Sequence, residues 1–247
     1  MRALVVVPTY NEADNLADLH ARARAALPDV DLLVVDDGSP DGTGTLADGL
    51  AAGDERMHVL HRDAKAGLGS AYRTGFAWGL ARRFDAFVEM DADLSHDPAD
   101  LPRLIGALAG ADLVIGSRYI PGGGVVDWPR RRLALSRNGN RYVRLATGLP
   151  LADATSGYRA FRRTVVDALD LTASSSEGYC FQIETALRAW REGFRVVEIP
   201  ISFVERRHGA SKISRRIVVE AVTRTARWGL AGPRRAATVH PESVAAA

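Results

Sequence analysis

The first 120 residues alternate short β-branched segments with amphipathic segments, and each strand-like segment ends in a polar, acidic or glycine-rich turn. This alternation is typical of successive βαβ units and predicts an α/β fold with a central, mostly parallel sheet flanked by helices. The predicted strands are residues 3–7, 32–36, 57–61, 86–90 and 113–115, and the predicted helices are 13–26, 42–52, 69–81 and 98–108. Ligands of open α/β sheets bind at the carboxyl ends of the strands, so we expect the functional site in those turns.

The alternation stops after Arg118. Residues 121–129 include three consecutive glycines, which impose almost no backbone preference, and predict a mobile loop that is either an active-site lid or a plain connector. Beyond it, helices are predicted near residues 131–147, 164–169, 181–191 and 213–228, a turn at 153–157, and strands at 195–199 and 201–206. The Ala- and Pro-rich tail at 231–247 predicts disorder.

The composition excludes several classes of protein. With 47% hydrophobic and 25% charged residues, a chain of 247 residues is neither disordered nor collagen-like. The longest apolar runs span four or five residues, whereas a membrane-spanning helix needs about 20. The one cysteine, Cys180, cannot form an internal disulfide, and no cleavable leader is recognisable, so we expect a cytoplasmic protein.

Two acidic turns follow predicted strands. Asp91 and Asp93 come directly after residues 86–90, where two carboxylates can bind one divalent cation that neutralises a diphosphate. For so short a motif taken alone, a solvated turn is the alternative. Residues 36–42 carry three aspartates, and a carboxylate here suits hydrogen bonds to a ribose or a base. The glycine spacing disfavours Walker and Rossmann dinucleotide sites.

A series of short motifs in one order carries a resemblance that covers about residues 3–230. Four of them closely resemble the inverting GT-A glycosyltransferases of family 2 type, whose fold is Rossmann-like: Pro8-Thr-Tyr10-Asn-Glu12, residues 36–43, Lys65 to Tyr72, and Asp91-Ala92-Asp93. The later motifs are similar to the polyprenol (dolichol) phosphate mannose synthases in particular, in a form without transmembrane helices: Gly116 to Tyr119, Gly122 to Gly124, Trp128, Arg132, Ser136, Asn140, Thr155 to Arg159, 177–184 and 203–212.

This resemblance implies one catalytic domain over residues 1–230, with a nucleotide-sugar-binding half at 1–120 and an acceptor-side half at 121–230. It implies GDP-mannose as donor, a polyprenyl monophosphate as acceptor, and Mg²⁺ or Mn²⁺ as cofactor. The family's donor-binding positions fall on Pro8, Tyr10, Glu12, Val35, Asp37, Ala92, Arg118, Arg206 and Lys212. Its metal positions fall on Asp91, Asp93 and Ser95, its catalytic positions on Asp91, Asp93 and Arg118, and its acceptor-phosphate positions on Arg118, Arg132, Ser136 and Arg206. The third metal position is Gln in the family pattern, and the shorter hydroxyl of Ser95 implies contact through water.

The residue types fit this chemistry. A phosphate monoester is already an anionic nucleophile near neutral pH and requires no strong general base, whereas bringing two anions together requires cations. The candidate cations are Arg118, Arg130, Arg131, Arg132, Arg137, Arg206, Arg207 and Lys212. Asp153 and Glu184 are open to two interpretations, a base for a sugar-hydroxyl acceptor or partners of the arginines. In-line displacement inverts the anomeric carbon and gives a β-linked mannosyl phosphate lipid.

The net charge of +2 conceals a basic C-terminal segment, because residues 206–235 contain nine Lys or Arg and one acidic residue, Glu220. The helix predicted there has a basic side and an apolar side. It docks on an anionic membrane surface at the cytoplasmic face, packs on its own domain, or does both in part. A separate membrane-anchoring partner protein is a further way to reach a lipid substrate. No nucleic-acid-binding module surrounds the charge, so we expect no nucleic acid partner.

Other functions stay open from the residues alone. The donor is UDP-glucose or another nucleotide sugar in the closest alternative, because the Asp37 turn does not reveal which base it holds. A nucleotide-sugar-binding scaffold without turnover is the non-enzyme alternative. The histidines His61, His96 and His208 lack metal-ligand spacing and are interpreted as hydrogen-bonding bystanders.

Overall fold

The computed structural model describes residues 1–172, 178–205 and 215–230. The strands are β1 (Ala3–Thr9), β2 (Asp31–Asp36), β3 (Met57–His61), β4 (Ala86–Glu89), β5 (Leu113–Ser117), β6 (Gly124–Val126), β7 (Arg159–Arg162), β8 (Val196–Pro200) and β9 (Ser202–Val204). The helices are α1 (Ala13–Ala26), α2 (Thr43–Ala52), α3 (Leu68–Ala81), α4 (Leu101–Ala107), α5 (Arg130–Thr147), α6 (Arg163–Ala168), α7 (Gly178–Arg191) and α8 (Arg215–Leu230). A 3₁₀ turn, Pro98–Asp100, precedes α4, and the Asp97 side chain caps it by accepting from the Ala99 N–H.

The main sheet has seven strands in the order β3-β2-β1-β4-β7-β5-β8. Every pair in it is parallel except the two pairs of β7, which runs antiparallel to β4 and β5. β6 and β9 form a separate parallel ribbon. Pro8 pairs with Val35 and Thr9 with Asp36, so β1 and β2 end side by side. β4 lies on the other side of β1, which brings its terminal turn to the same edge of the sheet.

Helices cover both faces of this sheet, which explains why β1 and β2 are apolar along most of their length. On one face, Phe76 of α3 and Leu187 of α7 belong to the buried cluster. On the other face, Leu16 of α1 and Leu104 of α4 do so. The strands are therefore held from both sides, and the polar turns project from their carboxyl ends.

The strands and helices predicted in the first 120 residues are confirmed, with boundaries shifted by at most two residues apart from the 3₁₀ turn before α4. β7 was not predicted, because Arg159-Ala-Phe-Arg162 is short and has an arginine at each end, so it shows no apolar periodicity. The strand predicted at 201–206 is confirmed as the shorter β9. The tail at 231–247 lies outside the described residues.

The prediction of a mobile loop at residues 121–129 is wrong for Gly124–Val126, which form β6 and pair with β9. Gly122 has a φ of +86°, a conformation that glycine adopts without strain. At Gly123 a Cβ would stand 2.4 Å from the backbone oxygen of Ser117. The glycines therefore permit a close approach of two backbone segments here.

Helix α8 packs against α5 and α7. Gly229 allows the approach to α5, since a Cβ there would stand 2.1 Å from the backbone oxygen of Ala146. The Tyr142 hydroxyl on α5 donates to the backbone oxygen of Val222 (2.9 Å). Of the two alternatives for the basic helix, the structure shows packing on its own domain. Within residues 1–172, 178–205 and 215–230, no helix is both long and apolar enough to cross a membrane.

Candidate active site

The turn after β4 places two carboxylates at the carboxyl edge of the sheet. The side chain of Asp91 is 33% exposed, whereas Asp93 and the intervening Ala92 are buried. Asp93 Oδ1 accepts hydrogen bonds from the backbone N–H of Ser95 (3.1 Å) and from its hydroxyl (2.5 Å). Ser95, the predicted third metal position, thus orients Asp93 in this structure.

The donor set of this turn fits a magnesium or manganese ion that shares its coordination with a substrate. Mg²⁺ is commonly bound through one or two carboxylates together with substrate phosphates. In the part of the chain that the structure describes, no group of three or more His, Cys, Asp or Glu side chains could hold a metal alone. A metal bound by Asp91 and Asp93 would take its further ligands from substrate phosphates or water.

Two buried side chains hold Asp91. The Tyr72 hydroxyl donates to Asp91 Oδ1 (3.4 Å), and burial raises the pKa of Tyr72, which keeps it a donor. His96 Nδ1 accepts a hydrogen bond from the Asp91 backbone N–H (3.1 Å). Burial lowers the pKa of His96 and favours the neutral ring. The interpretation of His96 as a bystander did not foresee this contact, and its sequence position five residues after Asp91 was the only available signal.

The ends of β1 and β2 bring Pro8, Val35 and Asp37 together. Asp37 is buried, with Oδ1 2.9 Å from Arg62 Nη1 and Oδ2 accepting from the Ala66 N–H (3.2 Å). Burial raises the pKa of Asp37, and the Ala66 amide and the Arg62 cation act against that rise. Arg62 was not among the predicted residues.

Tyr10 and Glu12 follow β1 at the same edge. Lys65 Nζ lies 4.0 Å from the centroid of the Tyr10 ring, in a cation–π contact. The Glu12 backbone N–H donates to Thr43 Oγ1 (2.9 Å), and its carboxylate accepts from the Asn15 amide (2.8 Å). These contacts tie the segment after β1 to the starts of α1 and α2.

Turn chemistry explains two of the three aspartates in residues 36–42. Asp36 accepts from the Thr9 hydroxyl (3.0 Å) and from the Ser39 N–H (3.1 Å). Asp41 accepts from the N–H groups of Thr43 (3.0 Å) and Ala13 (3.2 Å). Burial acts to raise the pKa of Asp41, but a hydrogen bond from the Thr43 hydroxyl (2.6 Å), together with those of the two N–H groups, lowers it overall. The side chain of Asp37, in contrast, contacts Arg62 and Ala66, which lie outside this turn.

Arg118 is buried in an ion pair with Asp153. Its Nε and Nη2 donate to the two carboxylate oxygens at 2.6 and 2.7 Å, and its backbone N–H donates at 3.0 Å. Nη2 also donates to Thr155 Oγ1 (2.9 Å). Burial acts to raise the pKa of Asp153, but the Arg118 cation holds it below its usual value. Of the two interpretations of Asp153, the structure supports the partner of an arginine.

Arg132 and Ser136 lie one turn apart on α5. The guanidinium of Arg132 covers the Trp128 ring at 4.0 Å and forms an ion pair with Glu205, the residue after β9. Ser136 Oγ accepts from the Tyr119 hydroxyl (2.6 Å). The predicted residues Arg206 and Lys212, with Arg207 and His208, lie outside the described residues.

An apolar cavity of about 130 Å³ lies between α5 and α8. Its lining residues are Trp128, Arg132, Leu135, Ser136, Gly139, Tyr142, Val143, Thr155, Ile183, Ala221, Val222 and Thr225. Two of the predicted acceptor-phosphate residues, Arg132 and Ser136, are therefore part of its wall. The cavity was not predicted, since it requires the packing of two helices about 80 residues apart in sequence.

A buried polar network supports the turn that carries Asp153. The Arg159 guanidinium donates to the backbone oxygens of Ala154 (2.7 Å), Ser156 (2.7 Å) and Gln182 (2.6 Å). Burial lowers the pKa of Arg159 to about 10. Glu89, its partner in the β4–β7 register, accepts from the Gln182 amide (2.8 Å), and burial raises its pKa to about 7. This network was not predicted, because it joins residues of β4, β7 and α7, which are far apart in sequence.

Comparison with known proteins shows close relatives. Residues 4–170 match the family model for glycosyl transferase family 2. Polyprenol monophosphomannose synthase of Mycolicibacterium smegmatis is 55% identical over 233 residues, which cover 94% of this chain and 88% of that protein. Undecaprenyl-phosphate mannosyltransferase of Micrococcus luteus is 54% identical over 231 residues, which cover 94% of this chain and 95% of that protein. Dolichol-phosphate mannosyltransferase of Pyrococcus furiosus is 37% identical over 227 residues, 89% of this chain and 61% of that longer protein.

Solved structures share the fold. A mannosyltransferase of Pyrobaculum calidifontis in complex with GDP-Man and Mn²⁺ has a TM-score of 0.61 at 20% identity, over 93% of this chain and 63% of that one. Glucosyl-3-phosphoglycerate synthase of Mycobacterium tuberculosis, in complex with Mn²⁺ and UDP-glucose, has a TM-score of 0.61 at 21% identity, over 93% and 78%. The predicted GT-A fold is confirmed.

Proposed function

The chain belongs to glycosyl transferase family 2, and from this membership we propose that it transfers mannose from GDP-mannose to a polyprenyl monophosphate. Two relatives at 55% and 54% identity bear the names polyprenol monophosphomannose synthase and undecaprenyl-phosphate mannosyltransferase. The observation on this chain that carries the proposal is the apolar cavity between α5 and α8, whose wall includes Arg132 and Ser136.

This cavity suits an amphiphilic acceptor. Apolar side chains such as Leu135, Ile183 and Val222 line most of it, while the polar groups come from residues such as Arg132 and Ser136. Apolar lining favours a hydrocarbon chain at about 25 cal/mol for each Å² removed from water. A guanidinium is the side chain best matched to phosphate oxygens. A prenyl chain ending in a phosphate uses both features, whereas a free sugar acceptor uses neither.

On the donor side, Asp91 and Asp93 would hold a divalent metal, with Ser95 orienting Asp93. A bound metal neutralises the diphosphate and stabilises the negative charge that develops on the leaving GDP. The nucleoside would lie over the ends of β1 and β2, against Tyr10 and Asp37. Pro8, Glu12, Val35 and Ala92 complete the predicted donor site, and Arg118, Arg206 and Lys212 stay predicted phosphate contacts.

In the proposed reaction a phosphate oxygen of the acceptor attacks the anomeric carbon as the bond to the GDP oxygen breaks. The attack comes from the opposite face, so the product is β-linked. A phosphate dianion carries no proton on the attacking oxygen and needs no base. The pairing of Asp153 with Arg118 agrees with this, because a carboxylate stabilised in its charged form is a weak base.

We also propose that the protein associates peripherally with the cytoplasmic face of a membrane, directly or through an anchoring partner. Large apolar side chains are exposed on the two helices that enclose the cavity: Leu135 and Leu145 on α5, and Leu230 on α8. Exposed arginines such as Arg137 and Arg141 accompany them on α5. Cosedimentation with anionic vesicles, and its loss with neutral vesicles or at high salt, tests this proposal.

Incubation with radiolabelled nucleotide sugars and polyprenyl phosphate, followed by extraction into organic solvent, tests the transfer reaction. We expect label in the lipid phase with GDP-mannose and Mg²⁺ or Mn²⁺. Label from UDP-glucose instead would assign the other donor. Tight GDP binding without any lipid product would overturn the proposal in favour of a nucleotide-sugar-binding scaffold.

A pair of aspartate variants tests the metal assignment. Asp93→Ala should abolish metal-dependent transfer, because it removes one of two carboxylate ligands. Asp18→Asn is the matched control, since the Asp18 side chain is 45% exposed and pairs with Arg22 one turn along the same helix. A fully active Asp93→Ala enzyme would show that Asp93 does not hold the metal.

A further inference from the structure

His96 occupies a closed position beside the turn that carries Asp91 and Asp93. Its side chain is 1% exposed. The ring stacks on Tyr158, with centroids 4.8 Å apart at 16°, and meets the edge of Phe203 at 5.5 Å and 77°. Two aromatic rings from distant elements therefore set the plane of the imidazole.

The hydrogen bond of His96 determines which ring nitrogen carries the proton and which part of Asp91 the ring contacts. The backbone N–H of Asp91 can only donate, so Nδ1, at 3.1 Å, accepts and the ring proton is on Nε2. The nearer carboxylate oxygen of Asp91 lies 3.9 Å from Nδ1, beyond hydrogen-bond distance. His96 therefore holds the main chain of Asp91 and leaves its carboxylate charge for another partner.

The turn needs such support. Leu94, midway between Asp91 and His96, has a φ of 60°, a left-handed conformation that a leucine adopts only at a cost. The contact from His96 to Asp91 closes the turn across this residue. On the outer side, the Val204 N–H of β9 donates to the backbone oxygen of Ser95 (3.4 Å). The turn is thus held from its inside by His96 and from its outside by the ribbon.

We propose that His96 is a positioning residue for metal binding, which acts by accepting the Asp91 N–H through Nδ1. This inference rests on the proposed function, since it takes Asp91 as a metal ligand. Groups that orient metal ligands commonly change metal affinity by 10- to 100-fold when removed. The alternative is a purely structural histidine, valued for its stacked ring alone.

Two substitutions separate the acceptor from the ring. His96→Phe keeps an aromatic ring between Tyr158 and Phe203 but has no acceptor. His96→Asn loses the ring but places an amide oxygen close to the position of Nδ1. Mn²⁺ affinity is measured by calorimetry in the presence of GDP, and the thermal midpoint of unfolding is measured on the same preparations. His96→Leu, which also lacks an acceptor, replaces the Phe variant if that variant is not recovered folded.

We expect His96→Phe to weaken Mn²⁺ binding at least about tenfold and His96→Asn to stay within about threefold of the wild type. We expect the reverse order in the thermal midpoint, because the Asn variant loses the aromatic packing. Metal affinities that follow the thermal midpoints, or a Phe variant that binds Mn²⁺ like the wild type, would overturn the inference. A wild type that binds no Mn²⁺ would overturn it too. Lipid-linked mannose transfer by the wild type reports separately on the proposed function.

Discussion

Replacing Asp153 with Asn is expected to destabilise the protein strongly, because it removes the negative charge that is paired with the buried Arg118 cation. Asp153 is fully buried and Arg118 is 6% exposed. The carboxylate accepts three hydrogen bonds from Arg118, two from the guanidinium and one from the backbone. An Asn side chain has nearly the same shape, but it carries no charge and offers one acceptor oxygen in place of two.

The expected loss follows from the burial of the pair. Removing one partner of a buried ion pair costs about 3–5 kcal/mol of unfolding free energy, because the other charge stays desolvated. The exposed pair of Asp18 and Arg22, with both side chains more than 40% exposed, should contribute about 0.3–0.5 kcal/mol. The free energy of unfolding of a domain is about 5–15 kcal/mol in total, so Asp153→Asn should remove a large share of the stability.

Urea unfolding followed by far-UV circular dichroism measures both variants against the wild type. Asp18→Asn serves as the control for removal of an aspartate charge from an exposed ion pair. The double variant Arg118→Met/Asp153→Leu should regain much of the lost stability, since no unpaired charge remains. A loss in Asp153→Asn no larger than in Asp18→Asn, or a double variant less stable than Asp153→Asn, would refute the reasoning.

Two further predictions concern the close backbone approach at Gly123 and the stability of the protein at low pH. Gly123→Ala should lower both the transfer rate and the thermal midpoint of unfolding, since its Cβ would stand 2.4 Å from the backbone oxygen of Ser117. Gly124→Ala is the control: its Cβ would meet no atom within 4 Å, so the thermal midpoint should stay unchanged. Burial acts to raise the pKa of Asp54, but hydrogen bonds, first that of His20, lower it to about 2 from 3.8. Its stabilising contribution should therefore be complete above about pH 4 and fall away towards pH 2. Asp54→Asn should flatten the pH dependence of the urea midpoint over that interval, and an unchanged profile would count against the assignment.

The sequence predicted most of what depends on local pattern. The apolar strand followed by Asp91 and Asp93 was recognisable because strand, turn and carboxylates are consecutive. The partner of Arg118 was not, because Asp153 lies 35 residues away and either interpretation of it suited the composition. The contact of Ser95 was not predictable either, since only the structure shows that its hydroxyl donates a hydrogen bond to Asp93.

The predicted acceptor-side half, residues 121–230, provides an independent argument about the nucleophile. Three of its carboxylates lie beside arginines: Asp153 with Arg118, Glu205 with Arg132, and Glu184 with Arg188. For Asp153, whose pKa the Arg118 cation holds below its usual value, this pairing weakens the carboxylate as a base. A sugar hydroxyl would need a carboxylate to take its proton, and Asp153 would have to give up its arginine first. A phosphate needs no proton removed and can compete for the guanidinium itself, so this pairing of charges favours an anionic acceptor.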